Sequence, residues 1–444
     1  MYLIIFRESA QVDKGCAIRD GTGEMDGTST PIDAACRRNG RFILISGLAS
    51  GVAVLYNGSK LSISLQAIVS EGREKRKVES SMQKLGFSIV GFGTIAKTHM
   101  IALRTLPIVK PLPVELSLHA LVTRRPEEVG AQARRIGFAH ITSSLEEALQ
   151  IEGSDAVSIC TPNALHAEQV RTAVAYRQAV YCEKPVTDNA QATKDLVEEI
   201  PAQHPQQLAF VFRYHPAVMR IRAWLEAGLV GDVLQCKIAY LRSGYLSESR
   251  PFSWRLSDSL SGGGAISDIG VHALDLIRHW FGDFASVDGH VHTFVPERPK
   301  TAGSEERVPV HVDDWAVMTY KTESGVHGMV EVSRIAYGAD AFRIDIVGTK
   351  GSITCDLERD KMPALHLLNG EQPALPEPDS LYLLPDEKAT MGVFQDSHFA
   401  ALHHFILRLS GDERWSDIVP TLADGNAVEQ WVDHVIRTDR ERQA

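Results

Sequence analysis

The sequence predicts an α/β fold: a doubly wound parallel sheet, then an α+β domain with an open, mostly antiparallel sheet. Three observations predict it. Between residues 82 and 213, apolar strand-like runs alternate with helix-like stretches, the βαβ rhythm of a parallel sheet covered on both faces. From 232 onward the pattern turns to two-residue alternation with tight turns such as Glu323-Ser324-Gly325. A glycine turn, Gly91-Phe92-Gly93-Thr94-Ile95-Ala96, follows the first apolar strand and opens a helix.

Length and composition bound the reading. A chain of 444 residues exceeds one typical domain. Its net charge is −10, and the acidic excess lies downstream of residue 81, which argues against nucleic-acid binding. No apolar run reaches the ~18–20 residues of a membrane helix, so no membrane partner is expected. Six cysteines are scattered without a Cys-x-x-Cys pair. Cys160 and Cys182 sit in or beside apolar strands and read as buried, reduced thiols. A cytoplasmic enzyme is the expectation.

Residues 1–81 stand apart. They mix Gly, Ser and Thr with apolar patches and end in a charged run, 71–79. Met82 stands just before the first strand of the parallel sheet. The segment reads as a disordered extension or a mis-assigned start. Its rival is a targeting region, since Arg37-Arg38 precedes an apolar stretch. The residues directly after that pair are not the apolar ones a twin-arginine signal wants.

Residues 82–213 then read as strands at 86–91, 116–123, 155–160, 179–182 and 207–212. Helices read at 94–106, 126–136, 144–150, 164–176 and 188–199, with Pro107, Pro111 and Pro113 as a stiff loop after the first. A helix at 214–228 opens the second domain, 214–390. Its strands read at 233–241, 286–295, 314–321, 326–334, 342–348 and 352–356, interrupted by a helix at 267–281. One face of that sheet is left uncovered, which predicts a homodimer or homotetramer. The proline-rich 357–390 reads as loop, and 391–444 as two terminal helices, 396–410 and 417–437.

Three motifs carry chemistry. The Gly91-x-Gly93-x-x-Ala96 turn, with Thr94 and Ile95, suits a dinucleotide pyrophosphate at a helix N-terminus. Glu183-Lys184-Pro185 ends a parallel strand, where ligands bind in such sheets. Pro185 is a candidate cis proline. Gly262-Gly263-Gly264 runs into a helix with Asp268 and His272 four apart, hence on one face, a carboxylate beside an imidazole. The triple glycine lacks the Lys-Ser/Thr of a nucleoside-triphosphate loop. The second strand ends in Thr123-Arg124-Arg125 with no acid before Glu127. That suits a 2′-phosphate, so NADP(H) is preferred over NAD(H), which stays possible. No metal is expected: His398, His403 and His404 lack ligand-spaced partners, and His311-Val312-Asp313-Asp314 opens a strand.

Taken together, these motifs resemble the glucose–fructose oxidoreductase and inositol dehydrogenase (Gfo/Idh/MocA) family. The likeness runs from about residue 82 to about residue 438 and includes Thr161-Pro162-Asn163 with His166, Arg213-x-x-Pro216 and Asp424-Gly425. It implies an NAD(P)-dependent oxidoreductase moving hydride between nicotinamide and a secondary alcohol or ketone of a sugar, cyclitol or polyol. Lys184 would hydrogen-bond the reacting oxygen. Lys184 or His272 would take the proton, and Asp268 would orient and charge the site. Glu183 would face the nicotinamide ribose, with Thr161, Pro162, Asn163 and His166 near the cofactor; Asn163 also fits a helix cap. Arg213, Tyr214, Trp254 and Arg255, with Asp268 and His272, would contact substrate. The Ser253-Trp254-Arg255 loop and 295–299 look like a subgroup acting on unphosphorylated sugars such as levoglucosan. The alternatives are a catalytically silent nucleotide-binding regulator and an enzyme that cleaves glycosides through transient oxidation.

Overall fold

The computed structural model describes residues 36–38, 41–43, 82–360, 362–378 and 391–444. The chain divides into two units, 1–80 and 81–444. In the first, Cys36–Arg38 and Arg41–Ile43 pair as antiparallel strands. The charged run and the apolar targeting candidate after residue 43 lie outside the described residues.

The second unit opens with a six-stranded parallel sheet. Its strands, in chain order, are Lys84–Val90, Glu115–Val122, His140–Thr142, Ala156–Ile159, Ala179–Cys182 and Gln206–Leu208. In space they run third, second, first, fourth, fifth, sixth. The order reverses between the first and fourth strands, and the C-terminal ends there form the ligand crevice of a doubly wound sheet. Covered on both faces, the inner strands carry apolar side chains throughout: Phe87, Ile89, Val157 and Val180 are buried.

Several boundaries differ from the sequence reading. His140–Thr142 is a strand that three residues of mixed polarity did not reveal. The last strand ends at Leu208, because the amide of Phe210 turns back to the Leu208 carbonyl and Val211–Tyr214 form a 3-10 turn. Pro107 lies inside the first helix, Thr94–Val109, rather than in a loop. Its ring faces solvent and removes one bond in the last turn, while buried Leu106 holds that turn to the core.

After helix Pro216–Glu226 comes a seven-stranded sheet. Its spatial order is Phe284–His292, Trp315–Thr322, His327–Ser333, Val233–Leu241, Ala341–Gly348, Gly351–Asp356 and Ala364–Leu367. All neighbours are antiparallel except His327–Ser333 beside Val233–Leu241. Burial alternates along Val233–Leu241 and Trp315–Thr322, as one covered and one open face require. Ala364–Leu367 falls in the stretch expected to be loop, and Glu297–Pro299 pairs with Arg307–Pro309 as a small ribbon. Their prolines and short length hid them.

The expected helix at 267–281 begins differently. Ile266–Gly270 is a π turn, and the α-helix proper is Val271–Phe281. The terminal helices are Val393–Leu409 and Leu422–Gln443. The first packs on the parallel sheet, its Phe405 ring 6.3 Å from Phe87 and 5.5 Å from Tyr181. The second, opened by a Thr421–Asp424 capping box, reaches Ala190–Glu199 through a Gln430 bond to the Ala190 carbonyl.

Candidate active site

The strand Ala179–Cys182 delivers Glu183 and Lys184 at the C-terminal edge of the parallel sheet, and Lys184–Pro185 is a cis peptide. The Lys184 ammonium donates to the Asp268 carbonyl at 2.5 Å and to Asp268 Oδ1 at 2.9 Å. The other carboxylate oxygen takes Arg334 at 2.9 Å. Burial would raise the Asp268 pKa, but the charges of Lys184, Arg334 and Arg255 outweigh it and hold the group far below the usual carboxylate range. Asp268 is therefore a fixed anion.

The π turn matters here. It widens the helix start, so Asp268 and His272 are not simple one-turn neighbours. Asp268 turns both its carbonyl and its carboxylate to Lys184. His272 sits among rings, 4.9 Å from Phe212 and 6.0 Å from Phe210, and its Nδ1 has no partner among the described residues. Burial, then the nearby Lys184 charge, push its pKa well below the ordinary value, so the imidazole is neutral.

Glu183 is buried and accepts from His99 Nε2 at 3.0 Å, while His99 Nδ1 meets Ser158 Oγ at 2.7 Å. Burial opposes ionisation of Glu183, yet His99, His398 and Lys184 pull its pKa down to about 2. His99 shows in the sequence only as part of the first helix's inward stripe, and its role was missed.

Glu183, Lys184, Asp268, His272 and Arg334 line a cavity of about 300 Å³. A second cavity, of about 370 Å³, adjoins it along Thr94, Ile95, Thr161, Trp254 and Arg255. This second cavity is walled by Gly91, Gly93, Thr123, Arg124, Arg125 and Pro162. Gly91 has φ +106° and lies so close to the Cys160 carbonyl that a Cβ would sit 2.7 Å away. Over Gly93 nothing lies within 4 Å, and the helix it opens has no side-chain cap. Bare amides, open space and a helix N-terminus fit the pyrophosphate of a nicotinamide dinucleotide.

Not every expected residue reaches these cavities. Ala96 is fully buried and packs the first helix on the sheet. His166 lines neither cavity; its nitrogens bond the Pro185 and Thr161 carbonyls, each at 3.0 Å, bracing two loops of the site. Asn163 lines the first cavity but caps no helix: it opens a 3-10 turn, and its amide donates to the Ser261 carbonyl at 2.9 Å. Arg213 does not line the cleft. It is buried in a pair with Asp275, at 2.5 Å, and Asp424, at 3.3 Å, because a guanidinium taken out of water needs such carboxylates. Tyr214 is also fully buried, its hydroxyl on His404 Nδ1 at 2.8 Å.

The structure adds wall residues that the sequence did not mark. Tyr240, Arg242 and Arg334 come from the second sheet, Phe394 and His398 from the terminal helix. His398, dismissed on spacing, lies with ligand-type atoms of His99 and Glu183 inside 4.8 Å. The His99–Glu183 contact in that trio is a proton-bridged pair. Asp313 clamps the glycine run, taking the Gly264 amide at 2.8 Å and the Ile266 amide at 2.9 Å.

Comparison with known proteins agrees with this architecture. The NAD-binding Rossmann-fold model of the GFO/IDH/MocA oxidoreductase family matches residues 85–209. The GFO/IDH/MocA C-terminal domain model matches 218–354, and the two together span more than half the chain. Levoglucosan dehydrogenase of Pseudarthrobacter phenanthrenivorans is 30% identical over 63% of this chain and 75% of its own length. scyllo-Inositol 2-dehydrogenase (NAD(+)) of Bacillus subtilis is 25% identical over 63% and 74%. A solved levoglucosan dehydrogenase complex with NADH and levoglucosan superposes with a TM-score of 0.72 at 27% identity, covering 81% of this chain and 98% of that one. The chain belongs to the Gfo/Idh/MocA family and is an oxidoreductase whose Rossmann domain binds a nicotinamide cofactor.

Proposed function

We propose that the protein is a dehydrogenase or reductase acting on a secondary alcohol or ketone of a sugar, cyclitol or related polyol. The observation that carries the reading is the Lys184–Asp268–Arg334 cluster beside neutral His272, in a cavity that opens onto the dinucleotide cleft. A nicotinamide dinucleotide held along Gly91, Gly93 and Arg124 would accept or supply the hydride. Lys184, fixed by two bonds to Asp268, has a third N–H for the reacting oxygen and stabilises negative charge on it. His272, neutral and lining the cavity, accepts the hydroxyl proton. Asp268 positions the Lys184 ammonium. Trp254 and Arg255, shared by both cavities, stand where substrate and cofactor meet.

The test is Lys184→Ala. Turnover should fall ~10²–10⁴-fold with cofactor affinity nearly kept. His272→Ala should behave alike, and the double variant should cost less than the sum of the two. Unchanged turnover in either single variant overturns the assignment. Parent protein that binds cofactor yet turns over no polyol in a broad panel supports the silent-regulator reading instead.

The cofactor is proposed to be NADP(H) before NAD(H). Arg124 and Arg125 line the dinucleotide cavity at the end of the second strand, and no acid precedes Glu127 there. Arg125 also pairs with Glu128, at 3.1 Å on the surface, which leaves Arg124 as the principal contact. Michaelis constants decide: a tenfold NAD(H) preference refutes it, and Arg124→Ala should raise the constant for NADP(H) far more than that for NAD(H). The open face of the seven-stranded sheet supports a homodimer or homotetramer. Buried free Cys160, Cys182, Cys236 and Cys355 suit a reducing, cytoplasmic setting. Among the described residues no helix is long and apolar enough to cross a membrane.

A further inference from the structure

The reaction cavity is unevenly charged. Lys184, Arg242, Arg255 and Arg334 line it, against only two carboxylates, Glu183 and Asp268. Both carboxylates are already matched. Glu183 bonds His99, and Asp268 is forked between Lys184 and Arg334. The two cations left over sit differently. Arg242 reaches outward to Glu358 at 2.9 Å, and Glu358 lies outside the cavity wall. Arg255 makes no ion pair and no side-chain hydrogen bond among the described residues. Its guanidinium stacks on Trp254, 4.4 Å from the ring. Stacking holds the group in place and leaves its edge N–H donors free.

A positive excess in an enclosed space is costly until an anion enters. The cofactor's phosphates meet only part of the need. Arg255 also borders the dinucleotide cleft, but Arg242 borders the reaction cavity alone.

We propose that the substrate of this dehydrogenase is an acidic sugar derivative, an aldonate or uronate, whose carboxylate is gripped by Arg255, with Arg242 on the same cavity wall. The inference rests on the polyol-dehydrogenase reading of the same cavity. A planar guanidinium suits a carboxylate because it presents two parallel N–H donors. The hydroxyl to be oxidised then lies toward Lys184 and His272, away from the anchor.

The test compares matched pairs that differ in one terminal group: D-gluconate with D-glucitol, D-galactonate with D-galactitol, D-glucuronate with D-glucose, and D-galacturonate with D-galactose. Each is titrated calorimetrically into the full-length protein loaded with NADP⁺. At least one acid should bind tenfold or more tighter than its neutral twin. Arg255→Gln should cut that preference below threefold and move the NADP⁺ dissociation constant less than threefold. Arg255→Lys should keep most of the preference. Should Arg255→Gln not fold, Arg242→Gln is read in the same way. Three results overturn the proposal: the neutral member binding as tightly in every pair, no binding in any pair, or Arg255→Gln weakening NADP⁺ while the preference stays. Cofactor reduction in the same samples separates the two readings. Turnover of neutral sugars without acid binding removes the carboxylate and keeps the dehydrogenase; acid binding without reduction does the opposite.

Discussion

Two glycine-rich segments frame the site, and they use the same residue for opposite ends. In Gly91–Gly93 the second glycine faces open space, with nothing within 4 Å of where a Cβ would be. In Gly262–Gly264 that space is already filled by protein. A Cβ on Gly262 would meet the Asp188 carbonyl at 1.7 Å, and one on Gly264 the Asp313 carbonyl at 1.8 Å. The first segment is bare so that a ligand can approach. The second is bare so that backbone can pack on backbone and aim Asp268 at Lys184. A glycine run alone therefore does not announce a ligand; what occupies the missing side chain's volume decides.

The sharpest way to break this contrast is Gly264→Ala. Its methyl would strike backbone, which cannot swing aside, so a stability loss above ~3 kcal/mol is expected. A melting curve would show it, and turnover should fall with the displacement of Asp268. A variant that melts like the parent would void the distinction. Gly93→Ala is the counterpart. Its φ is −77°, open to any residue, so melting should hardly move. The Michaelis constant for the cofactor should rise about tenfold, the worth of ~1.4 kcal/mol of lost approach. A large drop in melting temperature here would show that both runs are scaffold.

The closed segment borders a buried acid, and this gives a pH test. Glu429 lines a cavity with Gly262 and accepts the Val186 amide and the Thr193 hydroxyl, both at 2.5 Å. Burial raises its pKa to about 7 against those bonds. Its folded pKa exceeds the unfolded value, so the native state binds the extra proton between about pH 4.5 and 7. The contribution is full below that window and is lost as pH rises through it. Glu429→Gln should flatten this part of the stability profile by about 2 kcal/mol, measured by melting at pH 5 and pH 7.5. An unchanged slope would mean that Glu429 is ionised throughout. The smallest effect is expected from starting the chain at Met82. Among the described residues the strand Lys84–Val90 pairs with Glu115–Val122 and Ala156–Ile159 alone, so the melting temperature should match the full chain. A clear loss would tie residues 1–81 to the fold.

Much of this was legible because it is local. The glycine turn, the strand before Glu183-Lys184 and the alternation of the second sheet are patterns of consecutive residues. Lys184, Asp268 and His272 line one cavity, though the π turn undoes the Asp268–His272 pairing that their spacing suggested. What escaped depends on contacts between distant segments. Arg334 and Asp268 are far apart in sequence, and nothing near Arg334 marks it. His398 looked unremarkable on its helix because its neighbours, His99 and Glu183, come from the other end of the chain. Arg213 and Tyr214, placed at the substrate by the family resemblance, are instead buried by Asp275, Asp424 and His404. The π turn was invisible, since Ile266–Gly270 reads as ordinary helix.

Asp268 also acts as a rivet. One of its oxygens is held by a lysine from the parallel sheet and the other by an arginine from the mixed sheet. Prising the two layers apart would strip one partner from a half-buried charge, which costs stability. The layers are thus electrostatically pinned at the point of reaction.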